Sequence, residues 1–248
     1  MITYKVDVEV VDSTANSYTI KWTSYDAVIE GIENEIMKKA IEATSSSEVI
    51  FKITELGEFI EILNLEDIKK EYEKAFGVIK ESFKDVEGMD LVINAIERSV
   101  MTDEIIRGSV GKLINQFHMF HGVKYKLGEE VNAVVKQSNM LGGEPFDAHM
   151  TVLLDNIDVE NDLYIMRMWQ NVDEKQLTDA VFQLLRNVNK ELGIEDNDIF
   201  EGLPKAINQT RVASQIHGSS GWPIYSIMTT EVVMGNTFKI EEEEIEIL

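Results

Sequence analysis

The chain has no cysteine and few basic residues, and each shortage excludes a class of chemistry. Without cysteine there are no disulfides, no thiolate metal sites and no cysteine nucleophile, whichever compartment the protein occupies. Lysine and arginine number 23 against 45 aspartates and glutamates, which gives a net charge of −22 over 248 residues. Because nucleic-acid binding depends on cations that neutralise phosphates, the sequence predicts no nucleic-acid partner.

Long apolar segments are missing as well. No run of about 18 apolar residues occurs, so the sequence predicts no transmembrane segment. The first residues have a strand pattern and lack the apolar core of a signal peptide. Two locations are therefore considered. The protein is exported, to the periplasm or the cell surface, if Met1 replaces a removed signal segment, and it is cytoplasmic otherwise.

The sequence does contain alternating strand patterns at both ends. Residues 3–11 and 18–23 alternate apolar and polar side chains around a polar turn, which predicts an N-terminal hairpin. Residues 208–248 contain three strand-like runs separated by two loops, which predicts a C-terminal meander. Further strands are predicted near residues 130–137, 148–156 and 162–170.

Helical spacing of apolar residues fills most of the remainder. It runs through a middle section at about residues 64–121 and returns after Asp173, a residue suited to cap a helix. Helices and strands form separate runs instead of alternating singly, which favours an α+β fold over a parallel sheet. We therefore predict one α+β domain over residues 1–248. In this prediction the N-terminal hairpin and the C-terminal meander form one large curved antiparallel sheet, with helices packed on one face.

Two histidines form the first candidate site. His118 and His121 are three residues apart at the end of a predicted helix, so both imidazoles lie on one helical face. No carboxylate in the helix completes a metal motif such as H-E-x-x-H. A histidine at a helix C-terminus is also favoured by the helix dipole alone. The dipole is the simpler interpretation, so the pair is kept only as a candidate and no cofactor is predicted.

Two acidic loops offer oxygen ligands of the kind that calcium prefers, but neither has the EF-hand spacing. With so negative a chain, clusters of acids also arise by chance, and solvated loops are the simpler interpretation. A metal-dependent enzyme or a calcium-bound module, using the two histidines or these loops, is kept as the alternative function. The first loop contains Asp155, Asp158, Glu160 and Asp162, and the second contains Glu195, Asp196 and Asp198.

Serines flanked by glycines occur at residues 218–221 (GSSG). The G-x-S-x-G nucleophile elbow requires a strand-to-helix turn, whereas Trp222, Pro223 and another strand follow here. The glycines therefore fit a hairpin. No catalytic residue is predicted, and the chain is interpreted as non-catalytic.

The remaining signal is apolar and lies in the predicted C-terminal sheet. Methionine adapts to irregular cavities and varied partners. A curved sheet with helices over its concave face can enclose a pocket for an apolar ligand. A plain hydrophobic core explains the same pattern and is the simpler interpretation. The candidate ligand-groove residues are Met166, Met168, Trp169, Trp222, Tyr225 and Met228.

Both ends of the chain resemble a group of proteins. The run TYKVDVEVV at residues 3–11, a polar turn and YTIKW at residues 18–22 resemble the opening of uncharacterised exported bacterial proteins, many of them lipoproteins. Their ends are similar to SGWP at residues 220–223, followed by a strand, a Met234–Gly235 turn and a last strand. The lipid-attachment cysteine of those lipoproteins is missing here.

This resemblance implies the mature part of an envelope or surface protein, distantly like the lipoprotein-carrier half-barrels that hold acyl chains under a helical lid. It carries over no catalytic residues. Together with the methionines, it leads us to expect a non-catalytic exported protein. Such a protein would bind an apolar small molecule, a lipid or a protein partner in a groove between sheet and helix. An intracellular interaction protein is a further alternative.

Overall fold

The fold is known from a computed structural model, which describes residues 1–44, 47–86, 88–139, 143–191 and 204–247. It combines helices with antiparallel sheets, so the predicted α+β class is confirmed. The chain divides into two compact units, Met1–Gly122 and Val123–Leu248. None of the helices within the described ranges is both long and apolar enough to span a membrane.

The first unit contains a four-stranded antiparallel sheet in the order β1-β2-β3-β4. Three of its helices lie within the predicted helical section, and α4 begins where the Thr102 Oγ1 accepts a hydrogen bond from the Ile105 N–H at 3.4 Å. The elements are β1 (Ile2–Ser13), β2 (Ser17–Ile29), α1 (Glu35–Thr44), β3 (Glu48–Thr54), β4 (Phe59–Ile62), α2 (Leu65–Ser82), α3 (Met89–Val100) and α4 (Asp103–His118).

The second unit contains a six-stranded antiparallel sheet in the order β10-β9-β8-β7-β6-β5. Each strand pairs with its neighbour in sequence, so the whole sheet is a meander with one helix inserted. That helix begins as predicted at Asp173, whose Oδ1 accepts a hydrogen bond from the Gln176 N–H at 2.8 Å. The elements are β5 (Glu130–Gln137), β6 (Phe146–Asp158), β7 (Leu163–Val172), α5 (Glu174–Glu191), β8 (Ala206–His217), β9 (Pro223–Met234) and β10 (Thr237–Glu246).

One part of the predicted fold is wrong. The N-terminal hairpin and the C-terminal meander do not form one sheet, because β1 and β2 pair with β3 and β4, whereas β8 to β10 extend the sheet of β5 to β7. The physical reason is that strands joined by short connections pair locally, whereas alternation of side chains identifies a strand without naming its partner. The single domain over residues 1–248 stays a prediction, because two compact units can still unfold together.

The six-stranded sheet has two faces of different character. Helix α5 packs on one of them, which we call the covered face. The prediction that helices pack on one face is therefore confirmed for this sheet. Every described residue of the opposite face, which we call the open face, keeps at least partial exposure to solvent. The core under α5 consists of Phe146, Ala148, Val172, Leu177 and Ala206.

Candidate functional site

Three of the six predicted groove residues meet on the covered face. Met166, Met168 and Met228 are only 3%, 5% and 7% exposed. Met168 lies opposite Val212 on β8, and Val212 lies opposite Met228 on β9. Met168, Val212 and Met228 therefore form one row across the sheet, and Met166 lies beside that row. Met166 and Met168 share a face because they are two residues apart on β7, whereas their alignment with Met228 follows from the strand pairing.

The next row of the covered face is polar but internally satisfied. It runs from Met166 through Ser214 to Ser226. Both serines are buried, and the Ser214 hydroxyl donates to the Ser226 Oγ at 2.7 Å. A buried hydroxyl without a hydrogen-bond partner destabilises the fold. Because these two hydroxyls bond to each other, neither needs a ligand as its partner. The methionine face thus has the properties of a packed core.

The other three predicted residues lie elsewhere. Trp169 and Tyr225 are half-buried on the open face, because each is an odd number of positions from the buried methionines of its strand. Trp222 lies in the turn before β9 and is 39% exposed. The structure therefore separates the predicted set between two faces and a turn. The ligand-binding role of these residues stays a prediction.

The open face mixes aromatic, aliphatic and charged side chains. One row runs across it from Trp169 through Arg211 to Thr229, and Arg211 Nη2 lies 2.8 Å from Glu231 Oε2. On β7 the neighbouring Arg167 Nε donates to Asp155 Oδ2 at 2.7 Å. The central cations of this face are thus each paired with a carboxylate, which leaves the aromatic and aliphatic groups between them for contact.

The edge of the open face is acidic. Glu242, Glu244 and Glu246 on β10 lie on the same face as Tyr225, and Glu246 is its register partner. The pKa of the Tyr225 phenol is raised, first by loss of solvent contact and then by the negative charges of Glu244 and Glu242. The three carboxylates therefore make this edge of the open face negatively charged.

An open cleft of about 690 Å³ lies where β7 and β8 separate beside the first turn of α5. Its rim is formed by charged pairs: Lys205 Nζ lies 3.0 Å from Glu174 Oε2, and Lys175 Nζ lies 2.6 Å from Asp179 Oδ2. None of the six predicted groove residues is among its lining, all of which the structure describes. A charged and open cleft of this kind does not suit an apolar ligand.

The two candidate metal ligands do meet, at the end of α4 in the first unit. The ring centroids of His118 and His121 are 5.4 Å apart, and His118 also lies 5.7 Å from Phe51 and 5.1 Å from Phe117. Gly57, in the turn between β3 and β4, packs against His121. A Cβ at Gly57 would lie 2.6 Å from His121 Cδ2, so this position needs glycine.

Burial holds His118 in its neutral form. His118 is 9% exposed, and neither of its ring nitrogens makes a hydrogen bond of good geometry to the described residues. Loss of solvent contact lowers its pKa to about 4, the charge of His121 acts in the same direction, and the backbone of Gly57 acts against it. A neutral imidazole can bind a metal. Within the described ranges, however, no group of three histidines or carboxylates is placed to hold an ion.

The first acidic loop lies apart from this pair in sequence and makes its own hydrogen bonds. Asp158 accepts a hydrogen bond from Asn161 Nδ2 at 2.7 Å, and Asp155 pairs with Arg167 as described above. Glu195, Asp196 and Asp198 lie outside the described residues. The metal-dependent alternative therefore stays a prediction.

The structure adds a cluster that sequence reasoning missed, at the turn between β8 and β9. The Ser220 hydroxyl and His217 Nδ1 are hydrogen bonded at 2.8 Å, and His217 Nε2 lies 3.6 Å from Asp162 Oδ2. Asp162 also accepts hydrogen bonds from the Ser219 hydroxyl and, at 2.9 Å, from the Ser219 N–H. Asp162 lies far from the other residues in sequence, so no local pattern signals the cluster.

Serine, histidine and aspartate are the components of a catalytic triad, but their arrangement here fits a turn better. The N–H groups of Gly218 and Gly221 donate to Asp162 O and His217 O, both at 2.7 Å. They are therefore directed into the turn, whereas an oxyanion hole needs donors directed at substrate. The cluster joins the β8–β9 turn to the β6–β7 turn.

Comparison with known proteins adds no relative. No protein-family model matches the chain, and no curated protein and no solved structure matches it. The resemblance to exported lipoproteins consequently stays a prediction, and any function must be argued from the geometry.

Proposed function

We propose that this chain is a non-catalytic binding protein that holds a protein partner on the open face of its six-stranded sheet. The observation that carries the proposal is the partial exposure of every described residue on that face, over a row that includes Trp169, Arg211 and Thr229. Aromatic residues and arginine are enriched where proteins bind one another.

The charge distribution supports a protein as the partner. A net charge of −22 repels nucleic acid and anionic membrane surfaces. The paired cations on the open face allow a partner to cover it without leaving an isolated charge buried, which would be costly. The exported location is part of the same proposal and is supported by the resemblance of the two chain ends. Fractionation of the source cells tests it directly.

An apolar ligand is the second candidate, because Met168, Val212 and Met228 form one continuous row of the covered face. Methionine side chains adapt to ligands of irregular shape. This candidate requires the covered face to open, since all three side chains are buried. The two candidates differ in what is bound: a polypeptide for the first and a small apolar molecule for the second.

Native mass spectrometry of protein purified from its source organism, before and after denaturation, tests the proposal. We expect a bound polypeptide that is lost in an Arg211→Glu variant and retained in a Lys70→Glu control, in which a charge is reversed at an exposed position of α2. A bound lipid or other small apolar molecule that survives Arg211→Glu would favour the second candidate. A bare mass for the unmodified protein would contradict both.

A further inference from the structure

Strand β10 is a long and regular sheet edge. It pairs with β9 over ten consecutive residue pairs, from Thr237 opposite Met234 to Glu246 opposite Tyr225, with no bulge. In the described sheet order β10 has a strand on one side only. A straight edge presents alternate N–H and C=O groups to a further strand, which is how extended peptides add to sheets.

The side chains of β10 divide the edge into two parts. Phe238 and Ile240 are neighbours on the open face and are 69% and 57% exposed, so they form a small apolar patch on the edge strand. Glu242, Glu244 and Glu246 continue the same face towards the C-terminus. An occupant therefore meets an apolar segment followed by a row of carboxylates.

These charges decide between two occupants. Antiparallel pairing of two copies of β10, centred on Glu242, would place Glu242 opposite itself, and like charges opposite each other destabilise a sheet. It would also place the carboxylates of Glu244 and Glu246 against Ile240 and Phe238, where a charge loses solvent contact without gaining a partner. A cationic strand would instead place lysine or arginine opposite each carboxylate. The same glutamates that block self-association can therefore select a partner of opposite charge.

We propose that β10 is a docking strand for an extended, lysine- and arginine-rich segment of a protein partner. Alternate cations of that segment face Glu242, Glu244 and Glu246, and its apolar residues cover Phe238 and Ile240. The inference rests on the proposed function, because it names where on the sheet the partner begins to bind and what its chemistry is.

A synthetic probe tests the docking strand without knowledge of the natural partner. The probe is an acetylated and amidated decapeptide, KTKTKTVTVT, which in antiparallel pairing places its lysines opposite Glu246, Glu244 and Glu242 and its valines opposite Ile240 and Phe238. Its control carries glutamate in place of lysine. We expect the lysine peptide alone to bind in titration calorimetry, with an affinity that falls as salt is raised. We also expect slower hydrogen exchange at alternate amides of β10, which charge attraction alone would not produce.

Matched variants locate the binding. Glu242→Gln/Glu244→Gln/Glu246→Gln should raise the Kd about tenfold, because three exposed ion pairs are lost. Glu66→Gln/Glu73→Gln/Glu81→Gln on α2 removes the same charge and should leave the Kd within about twofold of the unmodified value. Before binding is measured, both variants must show the same unfolding midpoint as the unmodified protein, so that weaker binding is not due to unfolding. Equal weakening by the two variants, or binding without slower exchange in β10, would overturn the docking strand.

The result also separates this inference from the proposed function. If a natural polypeptide is lost with Arg211→Glu but retained by the β10 variant, the docking strand is wrong and the binding face stands. If the lysine peptide does not bind and no natural polypeptide is found, both are wrong.

Discussion

Met168 and Trp169 are chain neighbours on β7, yet they belong to different environments. Met168 is buried in a row with Val212 and Met228, whereas Trp169 is half-exposed beside Arg211. On the covered face, the Ser214–Ser226 hydrogen bond pairs two buried hydroxyls. The open face consists of groups that keep contact with water. The buried methionines of this sheet therefore serve mainly packing, and its capacity for interaction lies on the open face.

The largest expected effect comes from truncating the covered face. Met168→Ala should lower the free energy of unfolding by about 2–5 kcal/mol, because a buried side chain is replaced by a cavity. Arg167→Ala, one residue away on the open face, should cost at most about 1 kcal/mol, since its exposed ion pair contributes little. Urea unfolding measures both. Similar losses for the two variants would break the distinction between the faces.

The second effect extends the comparison to the buried histidine of the first unit. His118 has a pKa of about 4 when folded and 6.5 as its ordinary value. Below pH 6.5 the unfolded state therefore binds a proton that the folded state does not, and stability falls as the pH approaches 4. At about 1.4 kcal/mol per pKa unit, the loss between pH 7 and pH 4 is about 3 kcal/mol.

A variant isolates this contribution from that of the carboxylates, which titrate in both proteins. His118→Leu should lose about 3 kcal/mol less than the unmodified chain between pH 7 and pH 4, as measured by urea unfolding at each pH. Identical pH dependence in the two proteins would show that His118 is not buried in neutral form.

The third effect concerns the turn that packs against the histidines. Gly57 has φ 84° and Gly31 has φ 72°, so alanine is strained at both positions. Only at Gly57 would the new Cβ also meet a side chain, that of His121, because nothing lies within 4 Å of a Cβ at Gly31. Gly57→Ala should therefore cost about 1–3 kcal/mol and Gly31→Ala about 1 kcal/mol. Thermal unfolding that ranks them in the opposite order would contradict the packing of His121 on the turn.

The smallest effect lies on the open face itself. The Arg211–Glu231 pair is exposed, with side chains 55% and 32% accessible, so its coupling energy should be below about 1 kcal/mol and should fall further with salt. A double-mutant cycle with alanine at both positions measures it. A coupling of several kcal/mol would mean that this face is shielded from water.

Local patterns in the sequence predicted much of the fold, whereas pairing between distant segments could not be predicted. Alternation identified the strands, and Asp173 marked the start of α5. The order of the strands depends on which neighbours pair, and the alternation of side chains carries no such information. The contact between Asp162 and Ser219 also depends on strand pairing, so no local pattern in the sequence predicts it.

Hydroxyl-radical footprinting tests the central claim most directly, because it measures solvent contact of individual aromatic and methionine side chains. In the protein freed of its partner, we expect oxidation at Trp169, Tyr225 and Phe238, and little at Met168 and Met228. When the partner is bound, the three aromatic residues should become protected and the methionines should not change. Oxidation of Met168 and Met228 in the free protein, or aromatic oxidation that the partner does not alter, would contradict the assignment of the two faces.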